Sequence, residues 1–168
     1  IVKYTPGSGE RTVLVTAKAL TPEGADRPLG IADYIWSADG KRMLVFTNTR
    51  RVWRYHTRGD YWVLDLASGE LRRLGKHLER TQLKFAKFTP DGERVAYVHM
   101  NDIWVERVSD GKATRLTSNG TETLINGTFD WVYEEEWGLR DGFRISPDGK
   151  RIAFWQIDAT GVRDFPLV

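Results

Sequence analysis

Three stretches of this 168-residue chain are variants of one phrase. "WSADGKRMLVF" (36–46), "FTPDGERVAYV" (88–98) and "ISPDGKRIAFW" (145–155) each run from an apolar residue through Ser or Thr, a small residue or Pro, and Asp-Gly. A charged pair then leads into an apolar strand. Asp-Gly between strand-forming runs is a strong hairpin signal, because glycine takes the positive φ of a tight turn at little steric cost. Behind the first two hairpins comes another, "YWVLDLASGELRRL" (61–74) and "IWVERVSDGKATRL" (103–116), turning at Ser68-Gly69 and Asp110-Gly111. That makes four strands per unit. The turns recur after 52 residues (Asp39 to Asp91) and 57 residues (Asp91 to Asp148), close to the period of a four-stranded propeller blade.

The pattern therefore predicts an all-β fold: a partial β-propeller of about three four-stranded antiparallel blades. "RTVLVTAKAL" (11–20) reads as an outer strand of a preceding blade, which residues 1–30 would partly supply. Residues 31–74 and 83–117 would form two blades, 118–142 an insertion, and 143–168 the start of the next blade. So short an arc leaves strand edges unpaired, so a larger ring is expected. The opening at Ile1 and the ending "DFPLV" read as cuts through something longer.

Two connections exceed the repeat. Between the paired turns of a blade there are 29 residues in the first case (Gly40 to Gly69) and 19 in the second (Gly92 to Gly111). The ten extra residues fall in "TNTRRVWRYHTRGD" (47–60), read as an enlarged loop. The passage from one blade to the next takes nine residues once (Leu74 to Leu83) and 27 the next time (Leu116 to Phe143). Loops longer than the template requires are more often functional than framework. In an up-and-down blade both connections open at the same end. Arg54 and the acidic run of "TFDWVYEEEWG" (128–138) are thus expected to line one pocket.

Glu134, Glu135 and Glu136 repel one another, and a cation relieves them. A peptide α-amino group is protonated near neutral pH and has three N–H donors, enough for two carboxylates. One such pair at ~4 Å and an effective dielectric of ~20 attracts by roughly 4 kcal/mol before desolvation. Trp131 and Tyr133 are expected to pack the segment, with Thr128 or Asp130 capping a short helical turn. On spacing alone, three adjacent glutamates read first as a solvated surface turn.

The remaining composition narrows the classes. With 25 basic and 23 acidic side chains, a formal charge of +2 is too balanced to point to nucleic acid or a membrane surface. The absence of cysteine removes disulfides and thiolate metal sites. No apolar run approaches the roughly 18 residues of a membrane span. His56, His77 and His99 lack ligand-like spacing with acids, so no metal site is expected. The basic group Arg50, Arg51, Arg54 and Arg58 lacks a glycine-rich phosphate cradle. Two glycosylation-type sequons, at Asn119 and Asn126, support no conclusion.

"TFDWVYEEE" (128–136) is very similar to the glutamate motif of the dipeptidyl peptidase IV branch of the prolyl oligopeptidase family of serine peptidases. "VWRYHTRGDYWVLDL" (52–66) resembles that family's arginine-bearing loop and following strand, and "NDIWVERV" (101–108) a strand of the next blade. The resemblance runs in order from about residue 31 to 158. It implies that Glu135 and Glu136 hold the free N-terminal ammonium of a peptide, with Glu134 in support. It also implies that Arg54 hydrogen-bonds the carbonyl of the residue second from the scissile bond. The implied enzyme releases N-terminal X-Pro or X-Ala dipeptides, needs no cofactor, and allows a homodimer, an eight-bladed ring and a secreted or periplasmic setting. No Gly-x-Ser-x-Gly elbow occurs in the sequence. By this resemblance no catalytic residue lies in the chain, and the Ser-Asp-His triad belongs to an α/β-hydrolase domain elsewhere in the parent. The alternative is a non-catalytic propeller that docks other proteins, its acidic turn having no chemical role.

Overall fold

The computed structural model of the chain describes residues 1–163 and 165; of the closing "DFPLV" stretch only Phe165 is among them. Strands β1 (Val2–Tyr4) and β2 (Arg11–Val13) form a small hairpin, followed by a turn of 3-10 helix at Lys18–Leu20. The strand expected over residues 11–20 therefore stops at Val13. Then come β3 (Asp33–Trp36), β4 (Arg42–Val52), β5 (Tyr55–Asp65) and β6 (Leu71–Arg73), each paired antiparallel with the next. A second set repeats the order: β7 (Leu83–Phe88), β8 (Arg94–His99), β9 (Asp102–Arg107) and β10 (Ala113–Arg115). Beyond it lie β11 (Leu124–Asn126), helix α1 (Trp131–Trp137), the hairpin β12 (Phe143–Ile145) and β13 (Ile152–Phe154), and β14 (Gln156–Asp158), which pairs back onto β11.

All three Asp-Gly repeats fold into the same turn. The hydroxyls of Ser37, Thr89 and Ser146 donate to Asp39, Asp91 and Asp148 at 2.7, 2.5 and 2.5 Å. The same aspartates accept the backbone N–H of Lys41, Glu93 and Lys150, each at 3.0 Å. Gly40, Gly92 and Gly149 take φ of +69°, +70° and +68°, a conformation that explains the glycine in each copy.

Strand alternation decides which faces are filled. Leu44 of β4 and Val63 of β5 join Val95 and Tyr97 of β8 in one core between the two four-stranded units. Met43, Val45 and Leu64 point the other way, against Val15 and Leu20. Ala96 and Val98 on the opposite face of β8 meet Ile103 and Phe143. Because both faces of the central strands are covered, "MLV" and "VAYV" read as unbroken apolar runs rather than alternating ones.

Buried polar groups join the units. Glu106 is 1% exposed and accepts from the backbone N–H of Gly75 at 2.8 Å, Tyr97 Oη at 3.1 Å and Arg72 Nη1 at 3.3 Å. Arg42 donates across the gap to the Gly92 carbonyl at 2.8 Å, and Arg72 to that of Arg107 at 2.9 Å. Further along, buried Asp102 binds Arg115 and Thr117 and receives the Asn126 amide at 3.2 Å.

One departure from simple blades positions the site. The 47–60 stretch, expected as a loop, is mostly strand: β4 and β5 each run 11 residues and close through a two-residue tip, Trp53-Arg54. The projecting part of β5 pairs with β7 at Arg58↔Lys84 and Gly59↔Leu83, merging both units into one eight-stranded sheet.

Candidate functional site

The hairpin tip is aimed by irregularities below it. Register shifts between Thr47 and Arg50 and between Arg50 and Arg51 bend the ladder. Asn48, at φ +48°, is held there by its amide on Asp60 Oδ2 at 3.0 Å, while Asp60 Oδ1 takes the backbone N–H of Thr81 at 2.6 Å. Gly59 lets the Phe46 ring lie flat against the strand: a Cβ there would sit 2.6 Å from Phe46 Cε2. Phe46 in turn stacks on Tyr61 with centroids 4.6 Å apart. At the tip Trp53 has φ +53°, a left-handed conformation uncommon outside glycine, and its carbonyl accepts Arg51 Nε at 2.9 Å.

Helix α1 is short because its signals are adjacent. Asp130 caps it, its carboxylate accepting the Tyr133 backbone N–H at 3.1 Å, and Gly138 at φ +64° ends it by donating to the Glu134 carbonyl at 3.1 Å. Of the two capping expectations, Asp130 is therefore the cap. An aromatic series fixes the helix to the sheet: Phe129 lies 5.4 Å from Trp155 and 5.3 Å from Tyr133, which lies 5.2 Å from Trp137. Trp131, expected to pack the segment alongside Tyr133, is about half exposed and, among the described residues, belongs to no such ring contact.

The two enlarged connections meet. Arg54 Nε lies 2.6 Å from Glu135 Oε2, with the Arg54 side chain 70% exposed and that of Glu135 12%. Glu135 Oε1 is buried and has no hydrogen-bond partner among the described residues. Glu136 is exposed on the next position of the helix, and Glu134 is buried, its Oε1 likewise without a partner among the described residues. Burial pushes the Glu134 carboxyl above the usual range; Arg140 opposes this, Glu135 adds to it, and Lys84 and the Arg54 backbone N–H also oppose it. Lys84 is held below the ordinary lysine range by burial and by Arg58 beside it, with Glu134 in opposition. The site thus holds one exposed cation, one half-paired carboxylate and a free carboxylate over a buried layer of mixed charge.

Sequence reasoning missed Lys84, Tyr55 and Arg140. The Arg140 guanidinium lies 4.1 Å from the Tyr55 ring centroid, a contact between segments 85 residues apart that no local pattern announces. Of the other residues weighed, His56 bonds Thr49 at 2.9 Å through Nδ1, while His77 and His99 pack against Trp104. Among the described residues no cluster of three or more His, Cys, Asp or Glu could hold a metal. Asn126 is fully buried, its amide nitrogen shared among the Asn101 carbonyl, Asp102 and Asn119 and its oxygen taken by Gln156, so that sequon serves the fold.

Residues 37–168 match the family described as "Dipeptidyl peptidase IV (DPP IV) N-terminal region". The chain is 33% identical over 156 residues to dipeptidyl peptidase 4 of Trichophyton rubrum, covering 92% of this chain and 20% of that protein. It is 35% identical over 156 residues to dipeptidyl peptidase 4 of Arthroderma otae, with the same coverage. Among solved structures it is similar to dipeptidyl peptidase 4 of Porphyromonas gingivalis, with a TM-score of 0.81 at 28% identity over 94% of this chain and 22% of that one. The chain thus spans about a fifth of the curated relatives it matches.

Proposed function

This chain belongs to the family of dipeptidyl peptidase IV N-terminal regions, and on that premise we propose that its hairpin tip and helix form the substrate-gating, amine-recognising face of a dipeptidyl aminopeptidase. Glu135 and Glu136 receive the free N-terminal ammonium of a peptide, and Arg54 donates to the carbonyl of the residue second from the scissile bond. Residues 31–74 and 83–117 act as neighbouring blades of a propeller that carries this face over a hydrolase domain of the same parent protein. The Ser-Asp-His machinery resides in that domain, so this segment binds and orients but does not itself cleave.

The observation that carries the reading is the division of labour on Glu135. One oxygen is occupied by Arg54 and the other is buried with no donor among the described residues. A buried acceptor left open costs free energy until a donor arrives, and an ammonium supplies both donor and charge. Arg54, mostly exposed, keeps guanidinium N–H groups free for a peptide carbonyl. Holding the amine at a fixed distance from the nucleophile makes the enzyme count residues. Two adjacent glutamates favour release of dipeptides, with Pro or Ala before the cut. Binding energy from these remote groups then serves orientation at the reacting bond.

The test uses the protein that carries this chain. Release of the N-terminal dipeptide is compared for a peptide with a free amine and the same peptide acetylated. Loss of the charge pair is expected to cost about 2–5 kcal/mol, so acetylation lowers kcat/KM by roughly thirtyfold or more. Equal turnover of the two peptides contradicts the reading.

A further inference from the structure

The hairpin tip has little to hold it from its own side. It projects as a two-residue turn beyond a ladder with two register shifts, Trp53 sits at φ +53°, and the Trp53 and Tyr55 rings are about half exposed. Residues in such strained conformations persist where the surroundings over-determine them. Three contacts from the helix segment reach the tip: the Glu135 ion pair to Arg54, the Glu134 carboxylate facing the Arg54 backbone N–H, and the Arg140 guanidinium, 4.1 Å from the centroid of the Tyr55 ring. Tyr55 follows Arg54 directly in the chain.

Arg140 extends from a stiff base. It stands two residues past the left-handed cap Gly138, where Leu139 N–H donates to the Tyr133 carbonyl at 3.1 Å. The next residue, Asp141, bridges Thr128 and takes Lys87 Nζ at 2.6 Å. Gly142 N–H donates to the Gly127 carbonyl at 3.0 Å, and a Cβ on Gly142 would meet that backbone at 2.9 Å. A cation on so fixed a segment can set the position of a flexible turn, whereas one on a loose arm would follow it. Arg140 is also a countercharge for buried Glu134, whose Oε1 has no hydrogen-bond partner among the described residues.

We propose that Arg140 is a positioning residue of the amine site: by covering the Tyr55 ring it fixes the hairpin tip, and through it the Arg54 guanidinium, against Glu135. Its consequence for substrate rests on the reading of Glu135 given above; its hold on the hairpin does not. The role calls for an arginine or lysine over an aromatic face, since the ring attracts a cation and a neutral side chain of similar length gains nothing comparable.

In the protein that carries this chain, R140Q and Y55L are compared with wild type by amide hydrogen exchange over residues 52–56 and by steady-state kinetics on a dipeptidyl substrate with a free amine. Both variants are expected to speed exchange at the tip about tenfold, the size of a lost cation–aromatic contact. KM is expected to rise about tenfold while kcat stays within about twofold, the pattern of lost uniform binding. R140K, which keeps the cation, is expected to restore most of both. Exchange unchanged in R140Q, or raised while KM does not move, overturns the proposal. The amine reading fails separately: if wild type cleaves free and acetylated peptides alike, that reading falls whatever the exchange data show.

Discussion

Arg54 and Glu135, 81 residues apart in the chain, form an ion pair of 2.6 Å between a hairpin tip and a seven-residue helix. Each partner is delivered by a departure from the blade repeat: Arg54 by a hairpin ten residues longer than its counterpart, Glu135 by a helix inserted between blades. The pair is asymmetric, since the arginine faces solvent while the carboxylate is nearly covered.

This asymmetry makes the two residues energetically coupled. R54A and E135Q are each expected to lower kcat/KM on a free-amine substrate, and the double variant to lose less than the sum. A coupling of about 0.5–3 kcal/mol in a double-mutant cycle is the expected result. Additive losses would mean that the two side chains act on substrate independently.

Gly59 links the fold to the site. An alanine Cβ there would stand 2.6 Å from Phe46 Cε2 and 2.7 Å from the Thr47 carbonyl, so ring or backbone must shift at the base of the projecting hairpin. G59A is expected to destabilise by about 1–3 kcal/mol. It is also expected to weaken binding at Arg54, although Gly59 touches no substrate. Thermal unfolding and KM measured on the same preparation check both effects; an unchanged melting temperature would show that Phe46 moves freely.

Glu106 tests the joint between the two units. E106A leaves the Gly75 N–H, the Tyr97 hydroxyl and Arg72 without their shared acceptor in a buried setting. Removal of one partner from such a buried charge network is expected to cost about 3–5 kcal/mol. E106Q, which keeps one acceptor oxygen, is expected to cost less. Urea unfolding of both variants gives the comparison, and equal losses would mean that shape rather than hydrogen bonding sets the joint.

Acid stability follows from the repeated turns. Asp39, Asp91 and Asp148 are each held below the usual carboxylate range, first by the Ser37, Thr89 and Ser146 hydroxyls and then by the backbone N–H two residues on. A carboxyl whose folded pKa is depressed contributes stability above its unfolded pKa and loses it as pH falls through the folded value. Melting temperature is therefore expected to change little through these groups down to about pH 4, the ordinary Asp range, and to fall below it. D39N, D91N and D148N together are expected to flatten that fall. An unchanged acid slope would assign it to other carboxyls.

The three Asp-Gly turns were legible because each is a local device, complete within six residues. The four-strand units followed from spacing, and strand parity was enough to bring Arg54 and the glutamates to one end. The hairpin extension was not legible. "TNTRRVWRYHTRGD" has few apolar residues and two register shifts, so its alternation is hidden and a loop is the natural reading. Its pairing with β7 depends on the tertiary placement of Lys84 and Leu83, which no periodicity encodes. The division among the glutamates was likewise beyond the sequence. Three identical adjacent residues become one buried, one half-paired and one exposed only once the hairpin lies across the helix. Arg140 gave no signal because its partner ring belongs to that same crossing.

The central claim is a contact between a carboxylate and a chain end, and a crystal structure of the parent protein with a bound dipeptide product measures it directly. The account predicts the product's ammonium nitrogen about 2.7–3.0 Å from Glu135 Oε1, with Arg54 still on Oε2 and Glu136 turned to the same nitrogen. A product whose amine lies in solvent or against another part of the protein, with Glu135 Oε1 still unpartnered, would contradict it.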